Sequence, residues 1–244
     1  MISASNLALI ALLAFCASFI QRVTGFGFGI FIMTALPFLM PSYVEATALS
    51  GLLALLSATI TAVQMRSFLD WRKLYVIVIV FLVVSFGAIR VVAGLDTHLM
   101  RRVLGGVLIL VSIYFFLFSG KVHLKPSVPV QASMGTLSGL TGGFFAMQGP
   151  PAVIYFMSCT QTKEQYMSLI STYFVISNSM MSIFRAGSGF VTPAVGKAWI
   201  VGLPAALLGI LLGTRVYRRL PIGVLRKVVY AYMAVAGVIA LALG

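Results

Sequence analysis

"QRVTGFGFGIFIMTALPFL", residues 21–39, sets Arg22 and three alternating glycines, Gly25, Gly27 and Gly29, inside a run from Leu7 to Met40 that otherwise avoids charge. A helix in hydrocarbon tolerates neither well, since glycine loosens it and an unpartnered charge is costly there. The run is therefore either a faulty span or a deliberate break that lines something polar. The rest of the chain bears on that choice.

The 244 residues are 61% hydrophobic and 9% charged, with a mean hydropathy of +1.09. Soluble domains carry about 25% charged residues, so the composition reads as an integral membrane protein. Cys16 and Cys159 both lie in apolar runs, which excludes a disulfide framework or a CxxC metal site. The opening segment lacks the basic n-region of a signal peptide and reads as the first membrane element. The net charge of +13 fits basic loops held by anionic lipid. Basic residues flank the apolar spans and form no soluble patch, so nucleic acid is not an expected partner.

Six plain apolar spans are expected, at Ala46–Met65, Leu74–Ala93, Val103–Ser119, Tyr166–Phe184, Ala198–Thr214 and Val228–Leu243. Each has the roughly 17 to 20 residues that cross about 30 Å of hydrocarbon. Leu7–Met40 and Val130–Cys159 are too long for one helix and too short for two. Both divide at glycine clusters into pieces of roughly 11 to 16 residues, which predicts discontinuous or re-entrant helices.

The two odd segments also match each other. A shift of 114 places Gly25 on Gly139, Gly29 on Gly143 and Pro37 on Pro151. Shifts of 119 and 125 pair Glu45 with Glu164, Arg66 with Arg185, and Arg90-Val91 with Arg215-Val216. The expected fold is an all-α polytopic membrane protein in one domain, 1–244. It consists of two homologous repeats, 1–125 and 126–244, each with one Gly-rich broken segment plus three transmembrane helices. If each odd segment crossed once, the basic loop residues would split nine against seven. If each dips and returns, the split is eleven against five, which the positive-inside rule favours. The repeats are then inverted, both termini lie outside, and the 66–73 and 215–227 loops face the cytoplasm.

Opposed dips bring their tips together near the midplane. Non-helical backbone survives there only around protein or a polar cavity, and a half-helix starting near Phe28 and another near Phe144 would aim N–H groups at one point. The candidate substrate-binding residues are Gln21, Arg22, Thr24, Gly25, Gly27 and Gly29, with Gly139, Thr141, Gly142, Gly143 and Gln148. Pro37, Pro150 and Pro151 are expected to shape helices. Two alternatives stand beside this reading: the glycines as helix-packing faces, and Arg22 as a residue that snorkels to an interface. Arg66 and Arg185 are expected at helix ends in a structural role. His98 and His123 fall in polar loops, and neither a metal nor a cofactor is expected.

All four carboxylates, Glu45, Asp70, Asp96 and Glu164, fall at or outside span ends. Proton-coupled carriers hold an acid or histidine within the membrane, so transport here is expected to be passive or coupled to a proton carried by the substrate. No nucleophile–base pair or metal cluster supports an enzyme. The residues alone lead to a transporter of a small anion through the bilayer, with an anion channel as the alternative.

The G-x-G-x-G and T-G-G segments, each with a proline eight residues on, resemble the TauE/SafE (sulfite exporter) family, as do the length, basic character and duplication. The resemblance implies transport of small sulfur oxyanions, such as sulfite, or of organosulfonates across the bacterial inner membrane. It carries over to Gly25, Gly27, Gly29 and Pro37, and to Gly139, Gly142, Gly143 and Pro151. Arg22, just before the first motif, departs from it.

Overall fold

The computed structural model describes residues 2–118, 126–217 and 238. Among these, all regular structure is helical: α1 Ala4–Thr24, α2 Phe28–Ile32, α3 Leu36–Leu39, α4 Tyr43–Met65, α5 Tyr75–Val92, α6 Thr97–Phe118, α7 Val128–Phe145, α8 Gly149–Cys159, α9 Lys163–Gly187 and α10 Pro193–Tyr217. Two short 3₁₀ turns, Arg66–Phe68 and Trp71–Lys73, join α4 to α5. Six helices, α1, α4, α5, α6, α9 and α10, are long and apolar enough to cross a membrane. Five of these hold the expected plain spans. The sixth expected span, Val228–Leu243, lies outside the described residues, as do His123 and the basic residues at 121, 125, 218, 219, 226 and 227. His98 sits in the first turn of α6 and not in a loop.

The first odd segment does not divide as expected. α1 runs for 21 residues before the glycines end it, so Gly25 terminates a full-length helix and does not halve one. The second departs further. The helix expected to start near Phe144 does not, because α7 continues through Phe145 and α8 begins at Gly149.

Helix starts follow local chemistry. Ser42 accepts the Glu45 N–H at 3.3 Å and donates to its carboxylate at 2.9 Å. Thr162 accepts the Gln165 N–H at 3.2 Å while the Gln165 side chain accepts from Gln161 N–H at 3.3 Å. Both are S/T-x-x-E/Q signals, and they open α4 and α9.

α4 and α9 bury the largest shares of their surfaces and form the centre; α6 is the most peripheral of the long helices. The dominant packings are α1 on α10, α5 on α7 and α4 on α9. Small residues make the first two possible. A Cβ on Gly139 would lie 2.8 Å from the Val84 side chain and 3.1 Å from Phe81 O, and one on Gly143 2.5 Å from Ala88. One on Gly209 would lie 2.2 Å from Phe15 O. Contacts advance together along each of these pairs, so α1 runs parallel to α10 and α5 parallel to α7.

Asn6 Nδ2 donates to Leu39 O at 3.2 Å, so α2–α3 bring the chain back beside the start of α1. Lys73 Nζ donates to Cys159 O at 3.0 Å, which sets the end of α8 beside the start of α5.

Candidate functional site

The first break is built on left-handed backbone. Gly25 (φ 84°) caps α1 through its N–H to Gln21 O at 2.8 Å, and Gly27 (φ 98°) precedes α2. Positive φ is open to glycine and strained for other residues. Thr24 Oγ1 donates to Phe26 O at 2.7 Å and holds the turn closed. The first backbone bond of α2 is Phe31 N–H to Gly27 O at 2.8 Å, which leaves the N–H groups of Phe28, Gly29 and Ile30 without a backbone acceptor among the described residues.

The second break spans Ala146, Met147 and Gln148. Ala146 is left-handed without being glycine (φ 56°), and its N–H reaches Gly142 O at 3.0 Å. Ser138 Oγ donates to Gln148 O. α8 then opens Gly149-Pro150-Pro151, and the two prolines carry no N–H. This break therefore offers few backbone donors and supplies the Gln148 amide instead.

The two breaks touch. A Cβ on Gly29 would lie 2.1 Å from Ala146 O, so only glycine admits that carbonyl. Between them lies a cavity of about 20 Å³ whose lining includes Gln21, Gly27, Gly29, Gln148, Phe174 and Asn178. Ala54, halfway along α4, also lines it, which sets the cavity at mid-depth. Gln148 Nε2 donates to Asn178 Oδ1 at 2.8 Å. The buried Gln21 Oε1 has no partner among the described residues. Among the described residues no charged side chain lines the cavity; its polarity is amide and backbone. Its volume is about that of one water, so an anion of several heavy atoms enters only when the breaks separate.

Of the sequence candidates, Gln21, Gly27, Gly29 and Gln148 meet here. Gly25 lies just outside, where a Cβ would meet Met167 Sδ at 2.8 Å. Gly142 backs Gln148, with 2.9 Å between the two Cβ positions. Gly139 and Gly143 lie in the α5–α7 contact. Thr141 turns back onto Leu137 O and Ser138 O at 2.9 and 3.3 Å. Thr24 borders a separate 260 Å³ recess with Lys163 and Tyr166. Pro37 lies in the first turn of α3, where its carbonyl accepts from Arg101 Nη2.

Arg22 stands apart from the cavity. It occupies the last turn of α1 and is 2% exposed. Its Nε donates to Thr214 Oγ1 at 2.8 Å, Nη1 to Thr61 Oγ1 at 3.0 Å and Nη2 to Gln64 Oε1 at 2.5 Å. The charge is thus toward one end of the helices and joins α1, α4 and α10 through neutral acceptors. Arg185 occupies the last turn of α9, the helix-end position expected for it, and is wholly buried there.

Asn178 and Phe174 are site residues that the sequence reading missed. An amide at the middle of an apolar helix is a signal in its own right, and Asn178 offered it.

A family model described as "Sulfite exporter TauE/SafE" matches residues 10–240. No curated protein and no solved structure matches the chain. With the matching region spanning nearly all of a bundle of six apolar helices, the chain belongs to the TauE/SafE sulfite exporter family of membrane transporters.

Proposed function

We propose that the protein carries small sulfur-containing anions, such as sulfite or organosulfonates, across the bacterial inner membrane, and that it holds them between the two chain breaks. The observation that carries this is the meeting of the breaks at a buried, uncharged cavity lined by the amides of Gln21, Gln148 and Asn178. Amide and backbone N–H groups solvate an anion by dipoles alone, which binds it without trapping it. Transport needs that balance. Family membership supports the sulfur chemistry.

Two inverted repeats, 1–125 and 126–244, are the architecture we infer. Support comes from the packing: α1 on α10 has its counterpart in α7 on α5, and α4 on α9 relates the central helices to each other. The returns of α3 toward Asn6 and of α8 toward Lys73 fit re-entrant dips from opposite ends. The caps Gly25 and Ala146 are 121 residues apart and Ser42 and Thr162 are 120 apart. These spacings support a repeat near 120; a shift of 114 pairs Gly25 with Gly139, seven residues or two turns earlier on the glycine-bearing face of α7.

Glu45 and Glu164 lie in the first turns of α4 and α9, where the helix dipole favours them. Neither borders the cavity, which supports transport without a protein-borne proton. The test is binding and uptake. Purified protein is screened by thermal shift against sulfite, sulfate, thiosulfate, taurine and sulfoacetate, then followed in proteoliposomes with the anion that stabilises it. Stabilisation by a sulfur anion and saturable uptake are expected. No response to any of the five would end this reading, and unsaturable conductance would make the protein a channel.

A further inference from the structure

Arg185 is 0% exposed, yet only one of its three nitrogens is engaged. Nη2 donates to Gly142 O at 3.0 Å, while Nε and Nη1 have no acceptor among the described residues. Among the described residues no carboxylate pairs with its charge. Glu45 is held by Ser42 and Thr192, and the one ion pair among the described residues is Lys73 with Asp70. Arg22, by contrast, has an acceptor on every nitrogen. A guanidinium buried in an apolar bundle with open donors is expensive, and such residues mark ion pathways in membrane proteins.

Its surroundings are matched to the open donors. Ser182, one turn earlier on α9, has a buried hydroxyl that is also without a partner among the described residues. Facing both is Gly51 of α4, where a Cβ would stand 3.2 Å from Arg185 Nη1 and 3.6 Å from Ser182 Oγ. Arg185 Nη1 and the Ser182 hydroxyl thus face one patch of bare backbone at Gly51, with Nε a further open donor on the same guanidinium. Arg185 is seven residues beyond Asn178, about 10 Å along the helix axis. Its one acceptor, Gly142, is the residue that backs Gln148. The spot therefore lies between the central cavity and the end of the protein that carries Glu45, mechanically joined to the second break.

We propose that Arg185, with Ser182 and the bare backbone at Gly51, forms a second anion-binding site, a relay for the small oxyanion between the central cavity and the Glu45 end. This rests on the reading of the protein as an anion transporter. The oxyanion accepts from Nε, Nη1 and the serine hydroxyl, charge-assisted bonds stronger than those of the amide cavity. The relay supplies the full charge that the cavity lacks. Its tie to Gly142 O lets arrival of the anion loosen the second break.

Radiolabelled sulfite uptake into proteoliposomes, measured against concentration, tests the relay alongside melting temperature. Wild-type protein that moves neither sulfite nor any of the other four sulfur anions removes the transport reading itself and is thereby told apart from failure of the relay; where another of the five is the one carried, the same measurement is made with it. With transport established, Arg185→Gln raises KM tenfold or more while the protein melts no lower than wild type, because an uncompensated charge has been removed. Arg185→Lys raises KM at least threefold. Gly51→Ala, a favourable change for helix formation, raises KM several-fold without lowering the melting temperature. Wild-type KM in Arg185→Gln overturns the relay, whatever its stability. Should Arg185→Gln fail to fold, wild-type KM in both Arg185→Lys and Gly51→Ala overturns it.

Discussion

Gln148 and Asn178 share one hydrogen bond of 2.8 Å in the centre of the bundle, and that bond makes the site testable without unfolding it. Changing Gln148 to leucine leaves Asn178 Oδ1 without this donor, and changing Asn178 leaves Gln148 Nε2 only the 3.5 Å contact to Ser177 Oγ, each at about 1–3 kcal/mol. Changing both removes the orphan. We expect each single variant to melt lower than wild type and the double variant to recover most of the loss, while sulfite uptake stays abolished in all three. Uptake that recovers with stability would take these amides out of the site. Arg22 tells the opposite story. Its charge-assisted bonds end on Thr214, Thr61 and Gln64, so Arg22→Gln should cost roughly 2–3 kcal/mol of stability and leave KM for sulfite within threefold of wild type. A tenfold rise in KM would return it to the substrate path. Asp96, at the exposed start of α6, is held below the usual carboxylate range by the Leu99 N–H, 2.9 Å away. A depressed acid contributes its stability above the ordinary aspartate range and loses it as pH falls through the folded value. Asp96→Asn should remove that part of the acid sensitivity in a melting series.

Elements, unlike residues, were legible unevenly. The plain spans could be read because twenty apolar residues in a row have few other uses. The first break could also be read, since Gly25 and Gly27 advertise left-handed backbone. The second could not, because its left-handed residue is Ala146 and the nearby glycines serve the α5–α7 contact. Only the Pro150–Pro151 pair pointed to the true start of α8. The contact between the breaks was legible as an idea, but its atoms were not, since Gly29 meets Ala146 O across more than a hundred residues. Gly29→Ala should therefore abolish transport, whereas Gly106→Ala, with open space beside it, should be silent. Equal loss in both would make the first glycine one more packing residue. Ala146→Gly relieves a strained φ worth about 1 kcal/mol or more and should raise the melting temperature.

At the scale of the whole molecule, Lys73, Lys163 and Arg215 gather at one end with the start of α5, the start of α9 and the close of α10. Lys163 Nζ reaches Tyr217 O at 3.3 Å, and that end is the one the positive-inside rule assigns to the cytoplasm. Ser67, exposed in the turn after α4, is the place to ask. A Ser67→Cys variant should resist an impermeant thiol reagent in intact cells and react once the membrane is opened. Labelling in intact cells would reverse the orientation. The corresponding probe in the second half, at Gly223, lies outside the described residues.

The pairing of α1 with α10 has a consequence for how the chain is made. Arg22 finds its Thr214 acceptor 192 residues later, and a ribosome adding roughly 5–20 residues per second needs roughly 10 to 40 s to supply it. Until then the first helix sits in the bilayer with its main packing face uncovered and Arg22 Nε lacking that acceptor, while Thr61 and Gln64 of α4 already serve the other two nitrogens. The nascent first half should therefore be open to membrane quality control for that interval. Residues 1–125 expressed alone should be degraded within minutes, and co-expression of 126–244 as a separate chain should rescue them in trans. A first half that persists alone would mean that its early helices find cover from one another.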